Sequence, residues 1–194
     1  SVLETLTREH GLLPTFFGDF ERYHRAAATK LRGLEGALSA AEAAEPSGGH
    51  GLAAAEALRA ARAEHMQQLQ ERLDFLTFCI TNAPLPLSRA QLDVLWGACV
   101  AGRCCPHEDG LVFAWLEQAR ANSSAALDVD VTRHLFALAS ALPPRDLSEP
   151  AYACLECLFR WINWRDRRYT QVDAANVTVL ALPLFGVPTL WQAA

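Results

Sequence analysis

The segment from Leu52 to Asn82 contains neither glycine nor proline, and this constrains the fold of the 194-residue chain more than any other feature. The segment is rich in Ala, Leu, Glu, Gln and Arg, all of which favour helix. Its large apolar residues recur three or four positions apart, as on one face of a helix: Leu69, Leu73, Leu76 and Ile80, widened by Phe75, Phe78 and Cys79. The pattern predicts one long helix with an apolar stripe, ended by Pro84 and Pro86.

A second long helix is predicted from about Thr15 to Glu45. Residues 46–51 separate the two helices and have the sequence PSGGHG, which favours a flexible turn over a helix. Two long helices joined by so short a connection should lie antiparallel. The sequence therefore predicts a long antiparallel helical hairpin over residues 15–82, with a flexible tip at 46–51.

Shorter packed helices are predicted over residues 88–194. Ser88 and Gln91 have the spacing of a capping box, so a helix should begin there and end near Gly102. Later helices are predicted to begin near His107–Asp109, at Asp128 or Asp130 and at Ser148, followed by an irregular or β-prone stretch over 172–184 and a short helix after Pro188.

Six or seven helices joined by short turns indicate an all-α fold. Their lengths suit an armadillo/HEAT-like helical array, with a bundle as the alternative because no clean internal repeat is visible. We expect one helical module over residues 1–194. The residues predicted to form its core are Leu73, Leu76, Trp96, Trp115, Phe136, Leu155 and Phe159.

Composition and charge argue against several classes of protein. Asp and Glu number 22 against 17 for Lys and Arg, giving a net charge of −5, which is unfavourable for sequence-independent nucleic-acid binding. The most apolar stretch, Val177 to Leu190, is too short and too rich in Pro and Gly to cross a membrane. The beginning of the chain lacks the pattern of a secretory signal. We therefore expect an intracellular protein, cytoplasmic or nuclear, that binds neither nucleic acid nor membrane.

Four of the six cysteines, Cys79, Cys99, Cys154 and Cys157, lie in apolar contexts typical of core residues. The Cys154-x-x-Cys157 spacing also occurs in zinc sites, which need a second closely spaced pair of ligands. Residues 104–107, which contain two cysteines and a histidine, could supply that pair. We favour core cysteines because Cys154 and Cys157 fall on an amphipathic helix, and we predict no metal and no cofactor.

A cysteine nucleophile is the alternative interpretation of the same stretch. Cys105 precedes Pro106 and His107, and Asp109 is near. A thiol protease needs a thiolate activated by a histidine that an Asn or Asp orients. The surroundings of Cys105 match no known nucleophile signature, so a turn between two helices is the preferred interpretation. No catalytic residue is predicted.

Basic and aromatic residues alternate near residue 165. Arg165, Arg167, Arg168 and Tyr169 follow Trp161 and Trp164, a mixture that can bind an acidic protein surface. Arginines are also favourable at a solvated helix C-terminus. These four residues are the predicted partner-binding positions, with the solvated helix end as the alternative.

Several motifs between Met66 and Trp191 occur in a familiar order. They are QERLDFLTF at 70–78, LPLSRAQLDVLW at 85–96, FAWL at 113–116, HLF at 134–136, LP at 142–143, LS at 147–148, CLECLF at 154–159 and LFGVPTLW at 184–191. This series resembles the helical region of the large ubiquitin-specific proteases of the fat facets type.

The resemblance implies an armadillo-like stretch outside the catalytic domain of an intracellular cysteine deubiquitinase, a thiol protease and hydrolase. It implies a non-catalytic scaffold or substrate-recruiting role, with a protein partner or neighbouring domains of the same chain as the contacts. The ends at Ser1 and Ala194 would then be cuts in a longer chain. A stand-alone helical interaction adaptor unrelated to ubiquitin is the alternative.

Overall fold

The computed structural model describes residues 2–44, 49–82, 87–122 and 129–141. These residues are almost entirely helical, without a strand among them, so the predicted all-α fold is confirmed. The elements are α1 (Val2–Glu9), α2 (Leu12–Ala44), α3 (Gly49–Asn82), α4 (Arg89–Leu95), a π-helix (Trp96–Ala101), α5 (Glu108–Asn122) and α6 (Val129–Ala141). None of the described helices combines the length and apolar character needed to cross a membrane.

Helices α2 and α3 form the predicted antiparallel hairpin. The ring of Phe16 stacks on Phe75 with centroids 5.4 Å apart. Further along α2, Lys30 Nζ lies 2.9 Å from Glu64 Oε2. Residue numbers rise along α2 while those of the partners fall along α3, so the two helices run in opposite directions.

Both long helices begin three residues earlier than predicted. Gly11, with φ of +60°, occupies the left-handed region that glycine enters at low cost. Its carbonyl accepts a hydrogen bond from Thr15 N at 3.0 Å, and α2 starts at Leu12 with Pro14 tolerated in its first turn. Helix α3 starts at Gly49, so residues 49–51 of the predicted tip are helical, whereas residues 45–48 lie outside the described part. Helix α1 was not predicted.

The main core joins α2 to α6. Its fully buried members include Phe20, Leu69, Leu73, Leu76, Leu92, Leu95, Phe113, Leu116 and Leu135. Of the predicted core residues, Leu73, Leu76, Trp96 and Trp115 are buried. The Phe136 side chain, Leu155 and Phe159 lie outside the part of the chain that the structure describes. Phe78 is 55 % exposed, so the predicted apolar stripe of α3 was too wide, because 3.6 residues per turn carry this position away from the buried face.

The capping box at the start of α4 is confirmed. Ser88 Oγ accepts from Gln91 N at 3.2 Å, and Gln91 Oε1 accepts from Ser88 N at 2.9 Å. Helix α4 continues directly into the π-helix. The π-helix ends before Gly102, where the sequence predicted the end of the whole helix. The π-helical turn itself was not predicted; such turns are rare and often occur at functional sites. Helix α6 begins at Val129, so Asp130 lies inside its first turn rather than at the cap.

Gly102 is closely packed where the π-helix ends. A Cβ atom there would clash with the carbonyl oxygen of Gly97 and lie 3.3 Å from that of Ala98. Because backbone must shift to relieve these contacts, we expect Gly102→Ala to lower the free energy of unfolding by about 1–3 kcal/mol, as overpacking does. Urea denaturation measures this change.

Gly33→Ala is the matched control. Gly33 is exposed inside α2, and a Cβ atom there meets nothing within 4 Å. The control should raise the free energy of unfolding by roughly 0.5–1 kcal/mol, because alanine costs less backbone entropy in a helix. Changes of the same sign at both positions would contradict the close approach at Gly102.

Candidate functional site

Four polar side chains from four parts of the fold meet inside the protein. They are His24 of α2, His65 of α3, Cys104 of the loop after the π-helix, and Glu108, the first residue of α5. Two imidazole nitrogens, a sulfur and a carboxylate oxygen all lie within 4.8 Å of one another. The two histidines and Glu108 are buried, and Cys104 is half-buried.

The histidines occupy positions that otherwise hold apolar core residues. His24 continues the buried stripe of α2, which comprises Leu13, Phe17, Phe20, His24 and Leu31. His65 lies between Ala61 and Leu69 on the buried stripe of α3. The antiparallel pairing of the hairpin brings the two rings to a centroid distance of 5.6 Å, edge to face.

The loop before α5 turns Glu108 toward the hairpin. His107 has φ of 72°, an uncommon conformation for a non-glycine residue, and lies in the turn just before α5. Its carbonyl oxygen accepts from Leu111 N at 3.3 Å, so α5 begins at Glu108. A carboxylate in the first turn is favoured by the helix dipole, and Glu108 also accepts from the backbone N–H of Cys104 at 3.1 Å.

Glu108 is the centre of the hydrogen-bond network and is 0 % exposed. Its Oε2 lies 2.8 Å from His24 Nε2, and its Oε1 lies 3.0 Å from His65 Nε2. The Cys104 thiol donates to Oε1 at 3.1 Å. Burial raises the pKa of Glu108, but the hydrogen bonds from His24, His65 and Cys104 outweigh it and lower the pKa to about 2. The carboxylate is therefore ionised at neutral pH.

Tyr23 determines the orientation of the His65 ring. Its hydroxyl donates to the His65 carbonyl oxygen at 3.2 Å and lies 2.7 Å from His65 Nδ1. The guanidinium of Arg72 covers the Tyr23 ring at 3.6 Å from its centroid. Burial raises the pKa of Tyr23 to about 12, although Arg72 opposes the shift. The hydroxyl therefore stays protonated at neutral pH, and its contacts with the ring and the carbonyl oxygen hold Nε2 toward Glu108.

The described cysteines are free thiols rather than thiolates. Burial and the hydrogen bond to Glu108 raise the pKa of Cys104 to about 12. Burial also raises the pKa of Cys105, which is buried near Leu31 and Leu58 in a small second apolar cluster. Nucleophilic cysteines have lowered pKa values, and His107 is exposed. The geometry gives no support to a catalytic pair of Cys105 and His107.

The remaining sequence-predicted positions divide into two groups. Cys79 and Cys99 are buried, as predicted. The second group, Arg165, Arg167, Arg168, Tyr169, Cys154 and Cys157, lies outside the described residues. The sequence pattern indicated residues 104–107 as possible ligands, but it gave no indication of His24, His65 or Glu108. The available signal was a histidine at a core position on each of two facing helices.

The four side chains of this buried cluster could have either of two chemical roles. Without a metal, it is a hydrogen-bonded network in which one carboxylate joins three elements. The same imidazole, thiol and carboxylate groups are those that proteins use to bind zinc.

A family model described as the UBP24/USP9X/USP9Y ARM repeat matches residues 8–163. Searches of curated proteins and of solved structures returned no match. The matched range includes α2 to α6 and all four residues of the buried cluster. It confirms both the resemblance to the fat facets-type proteases and the armadillo-like helical fold. The chain therefore belongs to the UBP24/USP9X/USP9Y ARM repeat family.

Proposed function

We propose that this chain is a non-catalytic helical scaffold or substrate-recruiting module of a large ubiquitin-specific protease. The family match over residues 8–163 carries the proposal. Armadillo arrays stack helices in series and create extended surfaces that bind other proteins. Such a module would present those surfaces to a protein substrate or to neighbouring domains of the same chain.

The shape of the hairpin supports a role in presenting surface. Beyond His24, α2 contributes no residue to the main core, and its buried Leu31 packs instead on Leu58 and Ala61 of α3. The exposed face there carries ion pairs such as Lys30–Glu64, which are worth at most about 1 kcal/mol each. The outer part of the hairpin is thus a solvated arm attached to the core at its base.

The protonated thiols support the non-catalytic part of the proposal. A deubiquitinase of the cysteine class acts through a thiolate. Cys79, Cys99, Cys104 and Cys105 all have raised pKa values, mainly because burial disfavours the charged form. None of the cysteines that the structure describes is therefore an activated nucleophile.

The direct test separates chemistry from recruitment in the parent protease. Residues 8–163 are replaced by a flexible linker, and two activities are compared. Hydrolysis of a ubiquitin–fluorophore conjugate should be retained, because it needs only the catalytic domain, while deubiquitination of protein substrates should fall. An equal fall in both would indicate a part in catalysis. No change in either would favour the adaptor alternative.

Partner contact is proposed for Arg165, Arg167, Arg168 and Tyr169, because cationic and aromatic side chains together suit an acidic protein surface. Replacing the three arginines by glutamate should weaken capture of the protease's substrates by at least tenfold. The melting temperature should stay unchanged, because arginine is mostly exposed in folded proteins and exposed substitutions seldom alter stability by more than about 0.5 kcal/mol. Pull-down and thermal denaturation measure the two effects.

The control for this experiment makes the same charge change elsewhere. Arg22, Arg25 and Arg59 are exposed on the hairpin, and glutamate at all three should leave substrate capture intact. Equal losses in the two triple variants would show that overall charge, and not the patch, governs capture.

A further inference from the structure

We propose that His24, His65, Cys104 and Glu108 form a structural zinc site that joins the α2–α3 hairpin to the start of α5. The inference is independent of the proposed role in recruitment. It rests on four ligand atoms from sequence-distant positions that converge inside the protein.

The distances between ligand atoms are close to those of a tetrahedral zinc site. Zinc bonds of roughly 2.0–2.3 Å place neighbouring ligand atoms about 3.4–3.6 Å apart. Cys104 Sγ lies 3.8 Å from His24 Nε2 and 3.7 Å from His65 Nε2. The Glu108 oxygens lie closer to the nitrogens, at 2.8 and 3.0 Å. Small side-chain rotations would open these hydrogen bonds into zinc-ligand spacings.

His65 is held in the orientation that a metal ligand needs. Its Nε2 lies 3.0 Å from Glu108 Oε1, and the Tyr23 hydroxyl lies 2.7 Å from its other ring nitrogen, Nδ1. A second-sphere oxygen that fixes the ring through its other nitrogen is a regular feature of metal-bound histidine.

The charges of the four ligands balance a divalent ion. Two neutral imidazoles, one thiolate and one carboxylate carry −2 in total, which Zn²⁺ neutralises. Zinc binding requires the Cys104 thiol to lose its proton, because the thiolate is the form of cysteine that ligates a metal. The zinc-loaded site then carries no net charge in its buried position.

The donor chemistry selects the metal and the type of site. A thiolate with two imidazoles favours zinc over magnesium or calcium, which prefer all-oxygen ligands. Four protein ligands leave no open position for water or substrate, so the site would be structural. Cys104 borders a surface pocket of about 530 Å³, which provides a route by which the ion can enter.

Metal analysis and cobalt substitution test the proposal on the tag-free 194-residue chain. Protein purified without chelators should contain about one zinc per chain by mass spectrometry. After chelation, added Co²⁺ should give the visible bands of tetrahedral cobalt and a thiolate-to-cobalt charge-transfer band. Added zinc should raise the melting temperature of the metal-free protein. A folded protein with no zinc and no cobalt bands would overturn the proposal.

The adjacent cysteines provide a matched pair of variants. Cys104→Ser should remove the charge-transfer band and at least nine-tenths of the bound zinc, whereas Cys105→Ser should retain both. Loss of the band in Cys105→Ser alone would place the metal elsewhere and refute the site.

A measurement on the unaltered chain covers the case in which Cys104→Ser does not fold. Zinc should slow the alkylation of Cys104 by N-ethylmaleimide at least tenfold relative to chelator-treated protein, as read from fragment-ion masses. Equal alkylation of Cys104 with and without zinc would contradict its role as a ligand.

Discussion

Replacing Phe20 by alanine is expected to lower the free energy of unfolding by about 3–5 kcal/mol, the range for a buried phenylalanine. The ring is 1 % exposed and lies in the main core, 6.2 Å from the ring of Phe16 by centroid distance. The variant leaves a cavity that the packed helices can fill only in part. Urea denaturation monitored by circular dichroism measures the loss.

Phe78→Ala makes the same chemical change on the surface of α3. Because Phe78 is 55 % exposed, its removal should change the free energy of unfolding by no more than about 0.5 kcal/mol. Similar losses at positions 20 and 78 would mean that the burial described for Phe20 does not govern stability.

Glu108→Ala should cost about 3–5 kcal/mol in chelator-treated, metal-free protein, the range for breaking a buried charged network. The change removes the acceptor for both histidines and for the backbone N–H of Cys104. In the variant these donors stay buried without an acceptor. The free energy that they lost on leaving water is then no longer offset by a hydrogen bond. Chemical denaturation in the presence of chelator measures this loss without any contribution from metal.

The surface carboxylate of Glu64 serves as the control. Its side chain is 56 % exposed and pairs with Lys30, so Glu64→Ala should cost at most about 1 kcal/mol. If Glu108→Ala proved as mild as Glu64→Ala, the carboxylate could not be joining the hairpin to α5.

The helices that could be predicted are those with local signals. The spacing of Leu69, Leu73 and Leu76 predicted the buried face of α3, and Ser88 with Gln91 predicted the start of α4. Helix α1 was missed because its eight residues contain only three large apolar side chains, Val2, Leu3 and Leu6, too few to show a helical repeat. Phe78 was misplaced because residue type alone cannot define the width of a buried face.

The buried cluster depends on information that no local pattern contains. His24 and His65 meet only in one register of two long helices, and a shift of one turn would separate them. Glu108 reaches them from the start of α5, after the π-helix has ended at Gly102 and a turn at His107 has followed. The sequence indicates polar residues at core positions, but their convergence follows from tertiary packing.

The network at Glu108 also has a consequence for the order of folding. Contacts within the hairpin increase gradually in sequence separation, from 27 for Glu35–Arg62 to 42 for Tyr23–His65. Each closes only a slightly longer loop once its neighbour has formed. The His24–Glu108 contact spans 84 residues, whereas the same carboxylate meets His65 across 43. A hairpin that forms first places His24 beside His65, so Glu108 can reach both histidines by closing only the shorter of these two loops.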